Sequence, residues 1–148
     1  YWFYKNDEKR RQHELRRESR KIIVPIRLQA YERLTLLLER ISPENLLLRS
    51  QQYGMSSHDL QKELLRNIRS EFDHNLSQQV YVSHKTWEKV VSAKENVVKL
   101  INTNMIELQE KATAMELSRN ILESMVTNDI HSPRTAIDFL KKEAALYF

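Results

Sequence analysis

The chain contains a single glycine, Gly54, among 148 residues, and this scarcity limits its folds and its chemistry more than any other feature. Dinucleotide-binding turns and P-loops need several glycines, because the backbone must approach a phosphate closely there. One glycine and three prolines also supply too few turn residues for a sheet of many strands. The sequence therefore predicts an all-α protein without either type of phosphate-binding loop.

Apolar residues recur every three or four positions along most of the chain, which is the period of an amphipathic helix. Pro25 predicts a break before the first such stretch, because proline disfavours helix at the residue that precedes it. Helix starts are expected at Ser42-Pro43, at Ser56 with Asp59 as a capping box, at Ser83, and at Ser132-Pro133. The expected core positions are Ile26, Leu28, Ala30, Tyr31, Leu34, Leu36, Leu37, Leu38, Ile41, Leu46, Leu47, Leu48, Leu60, Leu64, Leu65, Ile68, Phe72, Leu76, Val80, Trp87, Val90, Val91, Val97, Val98, Ile101, Met105, Leu108, Leu117, Ile121, Leu122, Met125, Ile137, Leu140, Ala144 and Tyr147.

These stripes indicate helices packed on helices. We predict an antiparallel helical bundle over residues 26–148, preceded by a charged helix, with at least about 70% helix and no sheet. Residues 84–127 contain no proline or glycine, so they form either one long helix or two joined near Ala112 to Ala114. Asn102, Thr103 and Asn104 interrupt the apolar pattern there and form either an exposed contact face or a solvent-facing stretch.

The positive charge is confined to one end of the chain. The net charge is +4, and residues 5–21 alone hold eight basic and four acidic residues. The rest of the chain is therefore neutral, with 16 residues of each sign. Nucleic-acid-binding domains usually spread basic residues over a folded face, so this distribution disfavours that class. The segment has one apolar residue, Leu15, and charges spaced four apart, such as Asp7 with Arg11 and Arg10 with Glu14. These features predict a solvated stalk helix.

Four consecutive aromatic residues precede the basic segment. Aromatic rings settle at the headgroup level of a bilayer, and basic residues are retained on its cytoplasmic side. We therefore interpret residues 1–21 as the end of a membrane anchor followed by a juxtamembrane stalk, with the missing apolar span before Tyr1. The alternative is an aromatic arm docked on the protein's own core. The expected membrane-interface residues are Tyr1, Trp2, Phe3 and Tyr4, and the expected contacts to anionic headgroups or phosphates are Lys5, Lys9, Arg10, Arg11, Arg16 and Arg17.

No catalytic or metal site can be assembled from the sequence. Glu71 and His74 form one Glu-x-x-His pair, but a di-iron bundle needs a second pair and two further glutamates. His58 and Asp59 lie beside Ser56, yet there is no nucleophile elbow or glycine-lined oxyanion hole. The absence of cysteine excludes disulfides and thiolate metal sites. We predict a non-enzymatic protein with no cofactor, no metal and no small-molecule substrate.

Two runs, PIRLQAYER at residues 25–33 and LERISPENL at 38–46, resemble an uncharacterised protein family of Bacteroidota. The runs IRSEFDHNLSQQ at 68–79 and FLKKE at 139–143 are similar to the same family. The resemblance implies a single-pass inner-membrane protein with a short extracytoplasmic start and a cytoplasmic helical domain. It implies no activity.

The expected function is that of a membrane-anchored helical adaptor, an accessory subunit of a larger inner-membrane complex whose other subunits are its partners. The alternative is a nucleic-acid or ribosome tether that uses the basic residues 5–21 on phosphates.

Overall fold

The computed structural model describes residues 2–128 and 132–148, except for the side chain of Trp2. Most of these residues are helical, and their only β pairing is an isolated bridge between Ser56 and Thr113. The helices are α1 (Trp2–Ile41), α2 (Pro43–Ser50), α3 (Ser57–His74), α4 (His84–Ile106), α5 (Ala114–Thr127) and α6 (Arg134–Ala144), with short 3₁₀ helices at Leu76–Tyr81 and Ala145–Tyr147. The predicted all-α fold is confirmed.

The helix α1 continues through Pro25, so the expected break at this residue is wrong. A proline inside a helix removes one hydrogen bond, which here would join its nitrogen to the Lys21 carbonyl. Residues 21–23 and 25–27 are exposed, so water can bind the carbonyl that is released. One 40-residue helix therefore joins the charged segment directly to the bundle.

Side-chain caps start several helices where the sequence indicates. Ser56 and Asp59 form the predicted capping box at α3, and Ser83 accepts a hydrogen bond from the Thr86 backbone at the start of α4. Pro43 occupies the first turn of α2, although the Ser42 hydroxyl donates to the Glu39 carbonyl instead of capping α2. The last helix begins at Arg134, just beyond the expected Ser132-Pro133 start.

The stretch 84–127 forms two helices, and a second capping box marks the boundary. Thr113 accepts a hydrogen bond from the Glu116 backbone, and the Glu116 carboxylate accepts one from the Thr113 backbone. The same junction is tied to the start of α3, because Ser57 donates to the Ala112 carbonyl and Ala114 donates to the Met55 carbonyl. These two hydrogen bonds form the isolated bridge.

The core contains most of the aliphatic positions expected from the pattern. Its buried residues include Leu34, Leu37, Leu38, Ile41, Leu46, Leu60, Leu64, Ile68, Ile101, Leu117, Ile121 and Leu140. Ile26, Leu36, Leu48, Leu76, Val80 and Leu122 are exposed, contrary to expectation. For Leu76 and Val80 the reason is that α3 ends at His74, so the helical register that would bury them stops.

The α3–α4 and α1–α6 pairs pack antiparallel. In the α3–α4 pair, Gln61 donates to Asn102 near one end, while the Phe72 and Trp87 rings stack near the other. In the α1–α6 pair, Arg27 contacts Tyr147 and Tyr31 contacts Glu143. The chain directions within each pair are therefore opposed.

The polar stretch Asn102 to Asn104 in α4 is only partly exposed, so neither of the two interpretations of it holds for all three residues. Asn104 is buried, and its amide donates to the Leu100 carbonyl at 2.9 Å. Its side-chain oxygen accepts a hydrogen bond from the Ser124 hydroxyl at 2.8 Å. Asn104 therefore joins α4 to α5 inside the bundle, whereas Thr103 remains exposed.

Candidate functional site

The first half of α1 extends beyond the bundle. Every described side chain from residue 3 to residue 23 is exposed, and the first buried residue of the helix is Ala30. We call residues 2–23 the projecting segment, and at about 1.5 Å per residue it is about 33 Å long. It carries the basic excess of the chain, so a charged helical rod extends from the bundle.

Two of the expected membrane-interface residues, Phe3 and Tyr4, lie in the first turn of this rod. Phe3 and Tyr4 are exposed, at 85% and 84%. Trp2 is part of α1, but its side chain is outside the described residues, as is the whole of Tyr1. The expected basic contacts are also exposed: Lys5, Lys9, Arg10, Arg11, Arg16 and Arg17.

The basic residues of the projecting segment occupy different sides of the helix. Arg27 marks the side facing the bundle, because its guanidinium donates to the Tyr147 hydroxyl at 3.1 Å and lies over the Tyr147 ring. At about 3.6 residues per turn, positions 7, 11, 18 and 22 residues before Arg27 face nearly the same way. These positions hold Arg20, Arg16, Lys9 and Lys5, which we call the basic stripe.

The acidic residues lie mostly on the opposite side of the rod. Glu18, Glu14 and Asp7 precede Arg27 by 9, 13 and 20 residues, which places each about half a turn away from the basic stripe. The remaining basic residues of the segment lie roughly a quarter-turn or more from the stripe: Arg10, Arg11, Arg17 and Lys21. Of the six basic contacts predicted from the sequence, three belong to the stripe and three do not.

The ion pairs suggested by the four-residue spacing do not form. In the described chain no ion pair within 4.0 Å joins Asp7 to Arg11, or Arg10 to Glu14. Exposed side chains gain little from such pairing, because it restricts two long side chains for about 0–1 kcal/mol. The charges of the rod are therefore free of each other and face solvent.

A hydrogen-bonded carboxylate secures the point where α1 enters the bundle. Glu143 of α6 accepts hydrogen bonds from the Tyr31 hydroxyl at 2.8 Å, from the Ser83 hydroxyl at 2.6 Å and from the Thr86 hydroxyl. Burial raises the pKa of the Glu143 carboxyl, but these hydrogen bonds and the charge of Lys85 outweigh burial and lower it below the usual value. Burial, followed by the bond to Glu143, raises the pKa of Tyr31.

An apolar groove of about 980 Å³ opens between α2, the 51–56 loop and the start of α5. Its walls include the exposed side chains of Leu48, Tyr53, Met115 and Leu122. Among the described residues, Glu44 is the only acidic or basic one in its lining. The loop depends on Gly54, whose φ of 82° lies in the region that favours glycine. An exposed apolar surface of this kind is typical of a contact site for another apolar surface.

The residues that resemble chemical motifs have structural contacts instead. Glu71 pairs with Arg40 at 2.5 Å, while His74 is exposed. Asp59 belongs to the α3 capping box. Within residues 2–128 and 132–148, no three histidine or acidic side chains gather in a group that could hold a metal ion.

Sequence reasoning missed the groove. Leu48 was expected to pack down with its neighbours, yet it is exposed, while Leu46 and Leu47 are buried. The signal available in the sequence was Tyr53, an aromatic residue in a turn beside the only glycine. Met115 carried no such signal, because its position fits an ordinary exposed site in the first turn of a helix.

No helix in the described part of the chain is both long and apolar enough to cross a bilayer. A protein-family match extends over residues 1–147. The chain belongs to DUF7935, a family of unknown function. No curated protein and no solved structure matches this DUF7935 chain.

Proposed function

We propose that this DUF7935 chain is a non-enzymatic adaptor anchored in the inner membrane by its N-terminal side, as in a single-pass protein of Bacteroidota, with its bundle in the cytoplasm. The observation that carries the proposal is the projecting segment, a rod about 33 Å long that begins with exposed aromatic residues and continues with basic ones. Aromatic residues at the headgroup level followed by basic residues are typical of the cytoplasmic end of a membrane span.

The proposal requires an apolar segment of about 20 residues on the N-terminal side of Tyr1. The rod would then hold the bundle clear of the bilayer, where the apolar groove is open to another protein. The groove supports an interaction role over an enzymatic one, because its lining is apolar and contains a single carboxylate, Glu44. An accessory subunit of a larger membrane complex fits both surfaces.

Membrane anchoring is tested with the full-length gene product in its native cells. Residues 1–148 contain no cysteine, so Leu146→Cys adds one exposed thiol to the bundle. We expect the protein to sediment with the inner membrane. The thiol should react with a membrane-impermeant maleimide only after that membrane is opened. Recovery in the soluble fraction, or labelling from outside the intact inner membrane, would refute the proposed topology.

The adaptor role is tested at the groove with two matched substitutions. Leu48 and Ile106 are almost equally exposed, at 85% and 84%, but only Leu48 lines the groove. We expect Leu48→Asp to remove the protein from a large detergent-solubilised complex on native gels, because a buried carboxylate at an apolar contact is costly. Ile106→Asp should leave the complex intact. Equal behaviour of the two variants would contradict a role for the groove.

A second candidate function is a tether for nucleic acid or ribosomes. The alignment of Lys5, Lys9, Arg16 and Arg20 on one side of α1 supports it, because phosphate binding depends on basic residues that face the ligand together. Binding to phosphates releases counterions, so the affinity for RNA should fall steeply between about 50 and 200 mM salt. An interaction through the apolar groove should change little over that range.

A further inference from the structure

We propose that the basic stripe of α1 binds an α-helix of a partner protein that presents aligned Asp or Glu side chains. This inference names one partner of the adaptor and so rests on the function proposed above. The stripe comprises Lys5, Lys9, Arg16 and Arg20, and it spans about 22 Å of helix. Its residues follow one another at intervals of 4, 7 and 4, which are close to whole numbers of turns.

The first argument is the position of the bundle relative to the stripe. Arg27 and Tyr31, further along the same side of α1, contact Tyr147 and Glu143 at the end of α6. The C-terminal end of α6 and the 3₁₀ helix that follows it therefore lie on the side of α1 that carries the stripe, and they form a corner where the rod begins. Packed helices lie about 8–10 Å apart, so the layer formed by α6 makes this corner about one helix deep. A second helix has the right diameter to lie in it.

The corner disfavours a flat anionic surface as the occupant. A bilayer placed along all four stripe residues would meet the end of α6, because α6 packs on the same side of α1 through Tyr31 and Glu143 and packed helices lie about 8–10 Å apart. The aromatic end of the rod can reach a membrane, but the length of the stripe cannot lie flat on one. Its charges are therefore available to a narrow partner that runs beside the rod.

The distribution of acidic residues favours a protein helix over a nucleic acid. Asp7, Glu14 and Glu18 lie on the opposite side of a helix about 10–12 Å wide, a distance close to the Debye length at 0.1 M salt. A duplex spreads its negative charge around its whole surface, about one charge per 1.7 Å of axis, so only part of that charge can face a single stripe of four basic residues. A partner helix with one acidic face directs its charge at the stripe alone.

The experiment uses the chain itself in solution and a fluorescent peptide of about 22 residues with stable helix content. The peptide carries Glu at intervals of 4, 7 and 4 on one face, and a second peptide has the same composition with Glu distributed around the helix. Two quadruple variants have equal net charge. One replaces Lys5, Lys9, Arg16 and Arg20 with Gln, and the control replaces Arg10, Arg11, Arg17 and Lys21 with Gln.

We expect the stripe variant to bind the one-faced peptide at least about tenfold more weakly than the natural chain, a difference of about 1.4 kcal/mol. The control variant should bind within about threefold of the natural chain, because it keeps the stripe. Both variants lose the same long-range attraction, so the difference between them measures the contacts of the stripe itself. The distributed peptide should bind more weakly than the one-faced peptide.

The proposal is overturned if both variants lose the same affinity, if the two peptides bind equally, or if no binding is detected. Tighter binding of a DNA or RNA duplex than of the one-faced peptide at about 150 mM salt overturns it in favour of a nucleic-acid tether. No membrane is present in this assay. Failure of the peptide to bind would therefore leave the membrane-anchoring proposal standing, because only the labelling test decides whether the chain is anchored.

Discussion

Replacing Glu143 tests the joint at which α1 enters the bundle. This carboxylate accepts hydrogen bonds from Tyr31 of α1 and from Ser83 and Thr86 at the start of α4. The Thr86 side chain is fully buried, so Glu143→Ala would leave its hydroxyl without this acceptor in the interior. The substitution therefore removes three hydrogen bonds to a charged acceptor and leaves the buried Thr86 hydroxyl proton without its acceptor, although the Ser83 hydroxyl still donates to Thr86 at 3.1 Å.

The expected loss of stability follows from these contacts. A hydrogen bond to a charged group contributes about 1.5–3 kcal/mol, and an unsatisfied buried hydroxyl costs about 1–3 kcal/mol. Since the three contacts share one acceptor, we expect Glu143→Ala to lower the free energy of unfolding by about 2–4 kcal/mol. At about 3 °C per kcal/mol for a chain of this length, the Tm should fall by about 6–12 °C.

Glu143→Gln removes the negative charge of this side chain and keeps its size and shape. The amide retains one oxygen acceptor, and charged hydrogen bonds are about twice as strong as neutral ones, so a loss of about 1–2 kcal/mol is expected at pH 7. The folded-state pKa of Glu143 lies below its usual value. The charge therefore stabilises the fold fully above the unfolded-state pKa of about 4.3, and this stabilisation is lost as the pH falls through the folded-state pKa.

The assay is urea unfolding followed by circular dichroism at 222 nm, at pH 7 and at several values between pH 5 and pH 3. Asp138→Ala is the matched control, because Asp138 is an exposed acidic residue of the same helix. The reasoning is refuted if Glu143→Ala is no more destabilising than this control. It is also refuted if the difference between the natural protein and Glu143→Gln is as large at pH 3 as at pH 7.

Two further substitutions test the interior of the bundle and the continuity of α1. Asn104→Ala should lower the free energy of unfolding by about 1–3 kcal/mol, because the Ser124 hydroxyl loses its partner. The control is Thr103→Ala, at an exposed neighbour. It should change the free energy of unfolding by less than about 0.5 kcal/mol in the same urea titration. Pro25→Ala should restore the hydrogen bond to the Lys21 carbonyl and stabilise the middle of α1 by up to about 3 kcal/mol. Slower amide hydrogen exchange around residue 25, with the bundle unchanged, is the expected readout, and an unaltered exchange pattern would contradict a continuous α1.

Helix positions were predictable where the information is local. The Ser56–Asp59 capping box and the Ser83 cap use side chains within three residues of the backbone they satisfy, so the sequence alone identifies them. The aliphatic stripe through Leu34, Leu37 and Ile41 is equally local, because helical periodicity sets which side each residue faces. The Thr113–Glu116 box was available in the same way but was overlooked within a stretch without proline or glycine.

Tertiary contacts decided the features that bear on function. Whether Pro25 breaks α1 depends on whether the freed carbonyl reaches water, which requires knowing that residues 21–23 and 25–27 are exposed. The exposure of Leu48 and Met115 depends on how far α2 and α5 diverge around the 51–56 loop.

The sequence by itself determined an all-α chain with a basic, aromatic-tipped end, because helical period and charge count are properties of neighbouring residues. Only the tertiary structure decided that Lys5, Lys9, Arg16 and Arg20 lie on the side of α1 against which α6 packs further along the helix. Because α1 continues through Pro25, residues before and after the proline follow the same helical period. The contact of Arg27 with Tyr147 then shows which side of α1 faces the bundle. Those two residues are 120 positions apart, and packing in three dimensions brings them together.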